Sequence, residues 1–218
     1  MSLIDLSHTI EHGLVTYKGL PAPIVCDYLS FDDSKSRYED AEFNISKIEM
    51  VSNTGTYIDC PFHRYRDGKD ISETELQKFA NLPGVVVDAH FTEGIEIGPR
   101  HFAGVDVLGR AVLVRTYWCN HWNTDAYYEN HSFLTEDAAK FLRDNGARLV
   151  GIDSYNVDDT RTNKRPVHSI LLGEEILIVE HMCNLDKIPN GVQFLFNAVP
   201  PKVKGMGTFP VRAYAQII

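Results

Sequence analysis

Four short runs of consecutive apolar residues constrain this chain most: Val85-Val86-Val87, Ala111-Val112-Leu113-Val114, Leu149-Val150-Gly151-Ile152 and Ile176-Leu177-Ile178-Val179. A strand with one wet face alternates in polarity, whereas a strand covered on both faces does not, so these runs read as strands buried within a sheet. Between the second and third, Thr135 reads as an N-cap before a helix carrying Ala138, Ala139, Phe141 and Leu142 on one face, and Gly146 supplies its left-handed exit. Ahead of the first, Ser72 and Glu75 read as a capping box that opens a short helix with Leu76, Phe79 and Ala80 inward, and Pro83-Gly84 ends it. Further strands are expected over 192–199 and 211–218. Near the N-terminus, Ile24-Val25 and then Phe43, Ile45, Ile48 and Met50 sit among polar residues at near-alternate spacing. That pattern suits a half-buried sheet with one slip, as a bulge would give. With no repeat, low-complexity tract or linker, residues 1–218 read as a single domain of α/β or α+β class, a central mixed sheet flanked by a few helices.

Charge narrows the partners. Against 30 acidic side chains there are 21 basic ones, a formal net charge of −9, which argues against nucleic acid. No run approaches the roughly 18 apolar residues of a membrane span. Met1 to Asp5 has neither the basic nor the apolar stretch of a secretory signal, so a cytoplasmic protein acting on a small molecule is expected. The four cysteines, Cys26, Cys60, Cys119 and Cys183, are too scattered for a disulfide framework or a thiolate zinc ribbon.

The densest polar constellation is Asn53-Thr54-Gly55-Thr56-Tyr57-Ile58-Asp59-Cys60-Pro61-Phe62-His63, read as a constrained turn that holds Asp59 and His63. His168 follows a charged loop, and Glu180 comes directly after the last apolar run, at a strand's carboxyl end, where ligand sites in sheet proteins gather. Singly, each also fits a hydrogen-bonded histidine at the edge of the core or a strand end meeting water. Together they offer two imidazoles and two carboxylates, a donor set that suits zinc, manganese or iron.

On these residues the chain resembles the putative-cyclase superfamily of metal-dependent hydrolases, whose best characterised branch is the bacterial kynurenine formamidase (arylformamidase) of tryptophan catabolism. The family signature has the form H-x-G-T-H-x-D-x-P-x-H, and the segment Asn53 to His63 aligns with it. Asp5-Leu6-Ser7-His8-Thr9-Ile10, Asp67-Gly68-Lys69-Asp70-Ile71, Val114 to Trp118, Val150 to Ser154 and His168 to Glu180 match other family segments. The resemblance implies a swivelling β/β/α fold, a homodimer or larger assembly, and hydrolysis of a linear amide by metal-activated water. An aryl formamide such as N-formylkynurenine is the leading substrate. It also implies one divalent ion, Zn or Mn, on Asp59, His63, His168 and Glu180, with His63 or His168 shuttling the proton; by their ring chemistry Tyr17, Phe62 and Trp118 are candidates for lining the substrate pocket, and each fits plain core equally well.

Two positions depart from the signature. Asn53 and Tyr57 stand where the family has histidines, and neither an amide carbonyl nor a phenol replaces imidazole well as a ligand. The alternative is therefore a non-catalytic or altered-specificity relative that binds a small aromatic ligand or serves as an assembly subunit. A third possibility makes Cys60 a nucleophile with His63 as its base. Trp118, Trp122, Tyr127 and Tyr128 either form a patch that a partner subunit covers or pack on their own domain, and His8 lies in a matched segment that can face the pocket.

Overall fold

The computed structural model describes residues 2–218; Met1, counted above in the opening segment, lies outside them. The strands are β1 (Leu3–Asp5), β2 (Ile24–Leu29), β3 (Ile45–Glu49), β4 (Tyr57–Asp59), β5 (Leu82–Asp88), β6 (Glu96–Ile97), β7 (Ala111–Arg115), β8 (Phe133–Leu134), β9 (Leu149–Ile152), β10 (Leu177–Glu180), β11 (Phe194–Asn197), β12 (Thr208–Pro210) and β13 (Tyr214–Ile217). Three α-helices, α1 (Phe31–Arg37), α2 (Glu136–Asp144) and α3 (Pro166–Gly173), and several 3-10 turns connect them. Nine strands form one mixed sheet in the order β1-β13-β11-β5-β7-β9-β10-β4-β12.

The four apolar runs become its parallel centre, β5-β7-β9-β10, and antiparallel strands flank them on both sides. Within each run, side chains still alternate between faces. Leu113 and Val179 enter a core shared with Leu6, Phe79 and Phe196, while Val112, Val114 and Ile178 enter a second core under α2 and α3. Both faces are thus dry, which is why the runs are continuous. The sheet curls, so that Ser7 just past β1 bridges Met182 just past β10, and the Cys183 N–H donates to the Leu6 carbonyl. The mixed α+β domain expected from the sequence is the one observed. Among the described residues no helix is long and apolar enough to cross a membrane.

Helix α2 forms as its sequence indicates: the Thr135 hydroxyl accepts from the Ala138 N–H, Ala138, Ala139 and Leu142 are buried, and Gly146 leaves at φ 76°. Elsewhere the local reading needs correction. Ser72 does not cap a helix; its N–H and hydroxyl both donate to Asp70, which organises a turn of its own, and only a single 3-10 turn, Leu76–Lys78, follows. Phe79 is buried, but Leu76 is 64% exposed. Pro83-Gly84 lies inside β5 rather than before it, and Gly84 is needed there because a Cβ would overlap the Phe194 ring.

The half-buried N-terminal sheet is instead a separate two-stranded ribbon, β2 with β3, with the anticipated register slip between Asp27 and Leu29. It stands off the main sheet, and Ile24, Val25, Tyr28, Ile45 and Ile48 remain exposed. The aromatic stretch packs on its own domain. Trp118 and Tyr127 are buried with Tyr155, and the Trp118 indole N–H donates to the Tyr127 carbonyl.

Candidate metal centre

Strand β4 organises the site. Tyr57 and Asp59 point to one face, and Ile58 points to the other, into the first core. The expected turn is therefore partly a buried strand. Antiparallel pairing sets Glu180 of β10 opposite Tyr57, and Thr208 of β12 opposite Asp59. The chain then enters a 3-10 turn, Pro61–His63, with proline at the position where its missing N–H costs nothing. Gly207 runs against this turn so closely that a Cβ would overlap the His63 backbone, and this approach brings His63 to Thr208.

Helix α3 supplies the second imidazole. Asp158 caps it, one oxygen accepting from the Val167 N–H at 2.8 Å and the other from the His168 N–H at 3.1 Å. The second oxygen also lies 2.6 Å from His168 Nδ1, so Nδ1 carries a proton and Nε2 is the nitrogen left to face the site. Nε2 faces Asp59 Oδ2 and Glu180 Oε1, each at 3.7 Å. His63 is set in the same way: the Thr208 hydroxyl donates to Asp59 Oδ1 and accepts from His63 Nδ1 at 2.7 Å, leaving His63 Nε2 free. Glu180 is held by the Val157 N–H and by the Tyr57 hydroxyl, both at 2.7 Å.

Three buried carboxylates, Asp59, Asp158 and Glu180, thus surround two imidazoles, and among the described residues no lysine or arginine pairs with any of them. Burial alone would lower the His168 pKa, but Glu180, Asp158 and Asp59 outweigh it and hold the group up at about 10. Burial pushes Glu180 up to about 7, against the pull of His168. For Asp59, burial is overcome by His63 and His168, and its carboxyl stays below the usual range. Burial and the neighbouring carboxylates push the Tyr57 phenol well above its ordinary value, so it remains a neutral donor.

This charge deficit, together with Asp59 Oδ2, a buried oxygen with no hydrogen-bond partner, fits a divalent cation. Ligand atoms of Asp59, His63 and His168 all lie within 4.8 Å of one another. The 3.7 Å between His168 Nε2 and Asp59 Oδ2 is close to the roughly 3.4 Å separating two ligands on a tetrahedral ion with bonds of about 2.1 Å. Glu180 sits at a similar distance, but both of its oxygens already accept hydrogen bonds.

A pocket of about 280 Å³ opens onto this cluster, lined by Tyr17, Asn53, Tyr57, His63, His168 and Glu180 among others, with Asp59 fully buried behind them. A larger groove of about 600 Å³, beside Val86, Asp106 and Phe194, shares none of these residues. Of the rings expected at the substrate pocket, Tyr17 lines it. Phe62 turns outward from the 3-10 turn, and Trp118 belongs to the separate aromatic cluster. Cys60 faces the first core with its thiol pushed up to about 12 by burial, which leaves no thiolate for a nucleophile. His8 stacks on Trp122 at 3.9 Å and does not line the pocket. Two members of the site were not anticipated: Thr208, which carries no sequence signal, and Asp158, which Pro166 could have betrayed by marking the start of a helix.

A curled mixed sheet with an aspartate and two histidines gathered at its β4–β10 seam defines a class, and comparison with known proteins gives that class its family. The putative cyclase family matches residues 4–159, and the chain belongs to it. Kynurenine formamidase of Bacillus cereus is 31% identical over 213 residues, 96% of this chain and 95% of that protein. A solved structure described as a predicted metal-dependent hydrolase from Bacillus stearothermophilus is 27% identical with a TM-score of 0.77, covering 98% of this chain and 97% of its own. Isatin hydrolase A from Labrenzia aggregata shares the fold, with a TM-score of 0.81 at 22% identity over 98% of this chain and 93% of its own.

Proposed function

We propose that this protein is a metal-dependent amide hydrolase acting on an aryl formamide, with N-formylkynurenine as the leading candidate. The observation that carries this is the Asp59, His63 and His168 cluster with its unpartnered buried oxygen at the base of a small-molecule pocket. The kynurenine formamidase relatives support the substrate class. Asp59, His63 and His168 would hold one divalent ion, Zn or Mn, which would supply Lewis-acid chemistry at the amide.

The remaining chemistry falls to the chain. With Nδ1 of His63 committed to Thr208, Nδ1 of His168 committed to Asp158, and both Nε2 atoms assigned to the ion, neither imidazole keeps a nitrogen to move a proton. The shuttle expected of His63 or His168 passes to Glu180, the carboxyl that lines the pocket, which burial raises toward neutrality. Tyr57 and the Val157 N–H fix the orientation of that carboxyl.

Rates of the Zn- and Mn-loaded protein on aryl formamides, simple amides and lactones test the proposal, and aryl formamides are expected to turn over fastest. One observation favours a non-catalytic relative instead: Tyr57 spends its hydroxyl on Glu180 rather than offering a ligand. Absence of turnover on every aryl formamide, with the ion bound, would establish that alternative. The expected homo-oligomer finds support in the β2–β3 ribbon, because an isolated two-stranded ribbon with exposed apolar side chains is marginal in water. Light scattering after size exclusion should give a dimer or larger species; a monomer at micromolar concentration would contradict it.

A further inference from the structure

The pocket has a cationic side that the metal cluster does not use. Arg64 and Arg165 both line it, Arg64 exposed and Arg165 half-buried, one directly after His63 and the other three residues before His168. Arg110, Arg115, Arg143, Arg161 and Arg212 each pair with a carboxylate; among the described residues Arg64 and Arg165 do not, nor do Arg37, Arg66, Arg100 and Arg148, but of these six only Arg64 and Arg165 line this pocket.

Both heads are nonetheless anchored. Arg64 Nε donates to the Ser169 hydroxyl at 2.9 Å, and that hydroxyl donates to the Arg165 carbonyl at 2.8 Å, so Ser169 ties the two segments together. Arg165 Nη1 donates to the carbonyls of Thr162 and Lys164, each at 2.7 Å. Arg64 keeps both Nη groups free, and Arg165 keeps Nε and Nη2. A guanidinium held at one side but offering an open N–H edge is prepared for a planar anion, and carboxylate matches that fork with two parallel bonds. Tyr17 and Leu20 add apolar surface to the same pocket.

We propose that Arg64 and Arg165 form a carboxylate clamp at the pocket mouth, so that the preferred substrate is an aryl amide bearing a carboxylate. This rests on the hydrolase proposal for what is cleaved, but the clamp itself is a binding site and is read by binding. Calorimetric titration of the metal-loaded protein with anthranilate and with aniline, which share a ring and an amine and differ in the carboxylate, gives an affinity ratio. Wild type should prefer anthranilate, with a preference that falls as salt rises.

Arg64→Gln and Arg165→Gln should each lower the ratio about tenfold, and Arg64→Lys should restore part of it. A purely structural effect of either substitution would weaken both ligands alike and leave the ratio standing, which would overturn the clamp. Equal affinity of the two ligands for wild type would overturn it as well. An arginine-dependent ratio in a protein that hydrolyses no formamide would keep the clamp and reject the hydrolase.

Discussion

Replacing His168 by alanine is expected to abolish divalent-ion binding at micromolar concentrations and to reduce amide hydrolysis to background. Its Nε2 is aimed at Asp59 Oδ2 while Nδ1 is fixed by Asp158, so the substitution removes a ligand whose orientation is already set. Loss of an outer partner such as Asp158 typically costs about 10- to 100-fold in metal affinity, and loss of the ligand itself costs more. A second effect follows from charge: Asp59, Asp158 and Glu180 stay buried with one imidazole fewer.

Removing one partner from a buried ionic cluster costs roughly 3–5 kcal/mol. Asp59 and Glu180 escape it only by binding protons, so their folded pKa values rise above the unfolded ones. The variant should therefore be nearest to wild-type stability at about pH 5 and lose ground as pH rises toward 8. Thermal melts across that range, beside metal titrations at each pH, measure both effects. Full metal content in the alanine variant would remove His168 from the site.

The second large effect concerns the altered signature. Asn53→His combined with Tyr57→His should raise the bound metal from one ion per chain toward two, or raise the formamidase rate. Both positions line the pocket, so the new imidazoles enter the space beside Glu180. Tyr57 holds Glu180 Oε2 at 2.7 Å, and its replacement frees that oxygen. Tyr57→Phe is the control, since it deletes the hydroxyl without adding a ligand. It should cost about 1.5–3 kcal/mol, as expected of a hydrogen bond to a charged acceptor, without raising the metal count. If the double variant gains neither metal nor rate, the pocket has been rebuilt around other groups.

The sequence revealed the centre of this fold because burial on both faces leaves an unbroken apolar run, a signal that survives without knowledge of neighbours. Polar sites give no such signal. Asp59 looked like part of a turn because β4 has only three residues between polar ones, too few to show a period. Helix α3 was missed because His168 and Ser169 interrupt its apolar face and its cap, Asp158, lies eight residues before Pro166. Thr208 reaches Asp59 from 149 positions away, through strand pairing that no local pattern encodes. Phe62 and Trp118 were expected at the pocket on ring chemistry alone, but the direction of a side chain depends on the turn that carries it. By contrast, Asp59 and His63 were legible through the family signature, and His168 and Glu180 through a second matched segment; the four lie near one another at one seam of the sheet.

Titration of the metal-free protein with Zn²⁺ or Mn²⁺ by calorimetry, in two buffers of different ionisation enthalpy, tests the central claim most directly. One ion should bind per chain with release of protons, because His168, held near pKa 10 by its carboxylates, gives up a proton to become a ligand. Apparent affinity should accordingly rise with pH from 6 to 9. An absence of binding at micromolar ion, or binding that Asp59→Asn and His63→Ala leave intact, would contradict a metal centre at this site.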